Sequence, residues 1–205
     1  MKITSIEPQK NKNRVNIYID DLFAIGIEDE LRYKHKLEVG MEVEDEFIKK
    51  VVKAEEQNKV INQALNILSY RQRSEKELYT SLKRKGCEDF YIDKAMDYCR
   101  EQGYLNDKTF AESFMRDKLN LNKLGIERIR YELMTKGVSR DIIDDILVVD
   151  KDDQFNSALD LAEKKLPSYK NDDKNGRYRK LSGFLQRKGY TFDIISKVVK
   201  EVLKD

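Results

Sequence analysis

The segment Leu-Lys-Arg-Lys-Gly at 82 to 86 returns as Leu-Met-Thr-Lys-Gly at 133 to 137 and as Leu-Gln-Arg-Lys-Gly at 185 to 189, at steps of 51 and 52 residues. The apolar frame returns with it. Leu78, Ile129 or Leu181 stands four residues before the leucine, and Ile92, Ile142 or Ile194 stands five or six after the glycine. Self-similarity at a fixed period marks units that bury their apolar faces partly against neighbours. The predicted fold is therefore mainly α, with three tandem three-helix repeats forming an elongated curved array. Long surfaces of that kind favour binding over catalysis.

Composition agrees with a helical reading. Charged side chains make up 38% of the 205 residues, against roughly 25% in an ordinary domain, while the 40% that are hydrophobic suffice for a core under a solvated helical surface. Only two prolines and nine glycines interrupt a chain rich in Lys, Glu, Leu and Ile. Cys87 and Cys99 have no companion cysteines, and His35 is the only histidine, so the ligand count excludes a structural zinc site. The first residues lack the apolar core of a signal peptide, and no apolar run reaches the span of about eighteen residues that a membrane helix needs. A cytoplasmic protein with reduced thiols and no membrane association is expected.

The first 44 residues follow a different period. Val15, Ile17 and Ile19 alternate with Asn16 and Tyr18, Asp20 and Asp21 interrupt, and Phe23, Ile25 and Ile27 alternate again, which predicts a hairpin. Ile3 to Glu7 adds a third strand, with a polar turn from Pro8 to Asn13. A short helix is expected over 28–35. The predicted domains are a β-rich extension over 1–44, a connecting helix over 45–58, and repeats over 59–105, 106–150 and 151–205. Within the repeats, Ser74-Glu75-Lys76-Glu77 reads as a capping box, Asp107 and Thr191 as N-caps, and a loop is expected over 167–176.

Charge is distributed unevenly. Residues 174 to 188 carry Lys174, Arg177, Arg179, Lys180, Arg187 and Lys188 with no acid, whereas 141 to 160 carry seven acids against Lys151. The first set has the composition of a phosphate-binding or acidic-partner patch. Arg71, Arg73, Lys83, Arg84 and Lys85 fit such a patch and a solvated helix face equally. Gly86, Gly137 and Gly189 read as helix C-caps, and Lys136, like Lys85 and Lys188, suits the last turn of a helix with or without a ligand. Phe110, Phe114 and Phe184 fall at core spacing. No phosphate loop, dinucleotide fingerprint or nucleophile elbow is present, and no nucleophile, base or metal set converges, so neither enzymatic activity nor a cofactor is expected.

The order Arg73-Ser74-Glu75-x-Glu77-Leu78-x-x-x-Leu82-x-x-Lys85-Gly86, then Gly103-Tyr104-Leu105-Asn106-Asp107-x-x-Phe110-Ala111, then Gly125-x-x-x-Ile129-x-x-Glu132-Leu133-x-x-Lys136-Gly137 closely resembles the RecX family of bacterial recombination regulators. The match is dense from about Ala64 to Leu147 and thinner in the third repeat. The resemblance implies an all-helical, three-repeat protein that binds the RecA recombinase, above all its filament on single-stranded DNA; a monomer is expected. It implies restraint of ATP hydrolysis, strand exchange and coprotease activity in recombination, repair and the SOS response. Weak contacts to single-stranded DNA, and to duplex, are expected beside the recombinase. The family pattern carries no catalytic residues over to this chain, so the candidate partner- or DNA-binding residues are those of the basic clusters and Lys136. The alternative is a DNA-binding module of tandem helix-turn-helix-like units without recombinase specificity.

Overall fold

The computed structural model describes residues 1–10 and 13–204. Its elements are three strands, β1 (Ile3–Pro8), β2 (Arg14–Ile19) and β3 (Leu22–Glu28), then α1 (Asp29–Lys34), α2 (Asp45–Tyr70), α3 (Glu75–Arg84), α4 (Asp89–Glu101), α5 (Asp107–Asn120), α6 (Ile126–Thr135), α7 (Arg140–Ile146), α8 (Lys151–Lys165), α9 (Lys174–Lys188) and α10 (Phe192–Val202). The chain divides into two compact units: Met1–Tyr70 with Tyr79–Tyr104, and Arg71–Leu78 with Leu105–Asp205. The boundary falls inside α3.

In the first unit the strands form an antiparallel sheet in the order β1-β2-β3. Asp20 and Asp21 both take positive φ, 47° and 63°, as a tight two-residue hairpin turn demands. Val15, Ile17, Ile19 and Ile27 turn to one face and pack with Ile3, Leu31, Leu37, Val43 and Val51. Phe23 departs from the expected alternation. The register shifts between Ile17 and Tyr18, so Phe23 pairs with Tyr18 and lies on the outer face, 60% exposed. Part of the turn expected from Pro8 to Asn13, namely Asn11 and Lys12, lies outside the described residues. The buried Glu55 of α2 fixes the sheet to the helix: its carboxylate accepts from Arg14 Nη2 at 2.6 Å and from the Glu28 backbone N–H at 3.0 Å.

The connecting helix expected over 45–58 does not end at the start of the first repeat expected at 59; it runs on as one unbroken helix, α2. No glycine or proline interrupts that stretch, so each turn's hydrogen bonds propagate into the next. Its later turns pack on α4.

The second unit contains two complete triplets, each with its own core. Phe110 and Ala111 of α5, Ile129 and Leu133 of α6, and Ile143 and Ile146 of α7 form one. Ala158 and Ala162 of α8, Leu181 and Leu185 of α9, and Ile194, Ile195, Val198 and Val199 of α10 form the other. Asn106, rather than Asp107, caps α5, accepting from the amides of Lys108 and Thr109. Asp150 caps α8. The loop expected over 167–176 is shorter, because Leu166–Tyr169 forms a 3-10 turn and Asp173 caps α9 by accepting from the Gly176 amide. Thr191 stands at the N-cap of α10, but its hydroxyl bonds to Asp193 instead of a helix amide.

The repeated glycines explain how triplets join. Gly86, Gly137 and Gly189 end α3, α6 and α9 at φ 82°, 88° and 90°, the left-handed region that only glycine enters without penalty. The corner at Gly189 sits on the N-terminus of α6. Gly125 N–H donates to Lys188 O at 2.9 Å, and Glu127 N–H donates to Gly189 O at 3.1 Å. The corner at Gly137 meets the N-terminus of α3 through a side chain instead, with Ser74 Oγ donating to Lys136 O at 2.6 Å. Helix-end carbonyls thus receive donors from the start of another helix, backbone N–H groups at the Gly189 corner and a serine hydroxyl at the Gly137 corner, with opposed helix-dipole charges in contact. Gly125 has an ordinary φ of −73°, but a Cβ there would stand 2.2 Å from Gly189 O. A Cβ on Gly86 would meet nothing within 4 Å. Gly125→Ala is accordingly expected to lower stability by about 2 kcal/mol or more through overpacking, whereas Gly86→Ala should cost only the left-handed penalty of about 1–2 kcal/mol. Urea unfolding of the two variants checks this, and a neutral Gly125→Ala would mean that the joint is not made.

Candidate functional site

The basic cluster on α9 has two populations. Arg177 is structural: its Nε donates to Asp172 O and its Nη2 to Lys170 O, both at 2.9 Å, fastening the turn that precedes the helix. Lys180 pairs with Asp172 at 2.6 Å. The acids that temper this cluster, Asp172 and Asp173, stand immediately before it in sequence, which is why a window beginning at 174 reads as purely basic. Lys188 reaches Asn122 O at 3.4 Å. Arg179 and Arg187 are exposed, and neither has a carboxylate within ion-pair distance among the described residues.

The cluster around α3 falls across the unit boundary. Arg71 and Arg73 belong to one unit, and Lys83, Arg84 and Lys85 to the other. Arg71 pairs with Glu77 at 3.1 Å and Lys83 with Asp89 at 2.9 Å. Arg73 buries its Nε without a hydrogen-bond partner among the described residues. Arg84 and Lys85 are exposed at the end of α3.

Lys136 is committed within the fold. Its ammonium lies 2.5 Å from Glu77 Oε1 and above the stacked rings of Phe110 and Phe114. The capping box is met at Ser74, which accepts from the Glu77 amide at 3.2 Å, while the Glu77 carboxylate takes Lys136 and Arg71. Burial works to raise the Glu77 pKa, but the hydrogen bonds from Lys136 and Arg71 outweigh it and hold the carboxyl below its usual range. The acid-rich stretch is likewise tempered, since Asp144 pairs with Arg130 and Asp145 with Lys108.

Phe192 escaped the reading by hydrophobic period. It opens α10 and is 83% exposed, where large apolar side chains are usually covered. Repeat register offers the signal that could have found it. The equivalent first residues of α7 and α4 are Arg140 and Asp89, so an aromatic at 192 departs from its own repeat. Beside it run Tyr178, Ser182 and Gln186 of α9, lining a groove with Glu127 and Tyr190. The Tyr190 hydroxyl donates to Lys123 O at 2.9 Å, and burial, then the charge of Asp160, pushes its pKa up to about 12.

These features define a class: a tandem array of three-helix units with a small β-sheet extension and exposed cations on a repeated second helix. No helix among the described residues is long and apolar enough to cross a membrane. Models of the RecX N-terminal domain and of the RecX first, second and third three-helix domains match residues 1–44, 61–99, 106–147 and 152–199. The regulatory protein RecX of Clostridioides difficile (strain 630) is 39% identical over 203 residues, 98% of this chain and 95% of the relative. That of Clostridium botulinum (strain Eklund 17B / Type B) is 40% identical over 206 residues, covering 98% and 96%. A crystal structure of a regulatory protein RecX superposes with TM-score 0.83 at 28% identity, covering 97% of this chain and 98% of that one. RecX from Lactobacillus salivarius superposes with TM-score 0.67 at 31% identity, covering 73% and 97%. The chain belongs to the RecX family of regulatory proteins.

The Glu77 pair also has a pH signature. A carboxyl whose folded pKa is depressed contributes stability in full above its unfolded pKa, and that stability is lost as pH falls through the folded value. Lys136→Met is therefore expected to be about 1–2 kcal/mol less stable than the parent at neutral pH. The two proteins should converge as pH drops below about 4. Urea unfolding across that range is the measurement, and a gap independent of pH would show that Lys136 acts through packing alone.

Proposed function

We propose that this chain is a cytoplasmic, monomeric regulator that binds the RecA recombinase on single-stranded DNA and restrains its ATP hydrolysis, strand exchange and coprotease activity, with no bond chemistry of its own. What supports the reading is RecX membership together with Arg179 and Arg187, two exposed guanidiniums not consumed by the fold. A guanidinium without an internal carboxylate is available to a phosphate or an acidic side chain as a planar, bidentate donor. Repeated units multiply modest contacts, because once one unit is bound the next binds at high effective concentration. Complementary charge then sets register and association rate more than affinity.

Charge reversal tests this directly. Arg179→Glu with Arg187→Glu is expected to weaken inhibition of recombinase ATP hydrolysis by roughly ten-fold or more, since each lost charged contact is worth about 1.5–3 kcal/mol. Arg177 stays intact because it holds the turn before α9. Full potency in a folded double variant would reduce these arginines to a solvated face. Titration of bare single strands, bare duplex and recombinase-coated strands at several salt concentrations separates the alternative, because a DNA module without recombinase specificity prefers uncoated DNA and shows a steep salt slope.

A further inference from the structure

The groove beside Phe192 combines features that the proposed regulation leaves unused. It encloses about 670 Å³ between α9, the start of α10 and the first turn of α6, within the roughly 300–1,000 Å³ of small-ligand sites. Phe192, 83% exposed, and Tyr178, 40% exposed, supply two aromatic walls. Ser182 lines the same groove, and its Oγ is buried with no hydrogen-bond partner among the described residues. A buried hydroxyl left unpaired is unfavourable, so a ligand edge that bonds to it is bound with that cost relieved. Gln186 offers a donor and an acceptor, and Glu127 an acceptor, on the same lining.

The cations lie alongside. Arg179 precedes Ser182 by three residues and so occupies a neighbouring helix position. The Arg187 guanidinium folds back along α9, 3.4 Å from where a Cβ on Gly183 would stand. A flat ring with a mixed donor and acceptor edge, tethered to a chain of negative charges, matches this arrangement. We propose that the groove seats one unstacked base of a single strand, its face against Phe192 and Tyr178, its edge on Ser182, Gln186 and Glu127, and its flanking phosphates on Arg179 and Arg187. Glu127 favours a base with an exocyclic amino group, cytosine above all, because a carboxylate accepts from that group. Duplex is excluded, since its bases are stacked and their pairing edges occupied. The proposal rests on the reading above in which the Arg179 and Arg187 guanidiniums are available to phosphate.

Anisotropy of a labelled oligodeoxycytidine strand and of an abasic strand of equal length, each titrated with the full chain, tests it. The cytidine strand is expected to bind roughly ten-fold tighter or more, the scale of one base stacked on an aromatic side chain. Phe192→Ala should bring the cytidine strand to the abasic level without changing abasic binding, and Phe192→Tyr should retain the preference. Arg179→Glu should weaken both strands. Equal affinity of the parent for the two strands, no measurable binding of the cytidine strand, or a preference that survives Phe192→Ala would each overturn the proposal. A Phe192→Ala variant that loses recombinase inhibition while keeping its strand preference would instead make the groove a protein dock. Inhibition measured in parallel keeps this result separate from the regulatory reading, because base preference and inhibition can fail independently.

Discussion

The second unit depends on one recurring contact, in which the glycine corner that ends a second helix is pressed against the start of the second helix one repeat earlier. Helix ends are where backbone groups lack partners, and burying them unpaired is costly. Here the ends answer each other. Carbonyls of Lys136, Lys188 and Gly189 receive donors from Ser74, Gly125 and Glu127. The contact requires a corner that turns left-handed, and at Gly189 it also requires Gly125, which has no side chain and lets two backbones touch. The Lys-Gly signature of the second and third repeats is therefore primarily a joint.

The two joints are built from different atoms. At the Gly137 corner a serine hydroxyl bridges, and Lys136 finds a carboxylate in Glu77. At the Gly189 corner the Gly125 backbone docks directly, Gln154 Oε1 accepts from Ile126 N–H at 3.2 Å, and the position equivalent to Glu77 holds Arg128. Lys188 consequently has no acid opposite it among the described residues and settles on a carbonyl. The same lysine in the repeat is thus neutralised in one copy and left as net charge in the next. Gly86 ends the first copy with open space around its Cβ position.

This difference marks how much sequence can reveal. The period, the three left-handed glycines, the triplet cores and the three-stranded sheet follow from local patterns, because apolar spacing and capping chemistry act within a few residues. Helix junctions were less legible: α2 runs unbroken, since nothing between 45 and 70 stops it. Charge clusters were least legible. Lys180 and Lys136 find acids through folding, one from just beyond the window and one 59 residues away, so a count of cations along the chain overstates the free charge. Arg177 resembles its neighbours in sequence but spends its guanidinium on two carbonyls.

Departures from the repeat then become more informative than the repeat itself. A left-handed helix end requires glycine at the corner and the core requires apolar residues on the buried stripe, and those positions are held at Gly86, Gly137 and Gly189 and at Leu78, Ile129 and Leu181. The joint places no demand on the first residue of the third helix. Asp89 and Arg140 are ordinary solvated choices there, while Phe192 exposes an aromatic ring that neither capping nor the core requires. Ser182 stands where the other units have Arg130 and Tyr79, exchanging a long side chain for a short hydroxyl and thereby opening space beside α9. Together, one substitution adds a ring and the other removes bulk within the same groove, and the unpaired hydroxyl left behind raises the folded state's free energy unless something binds there.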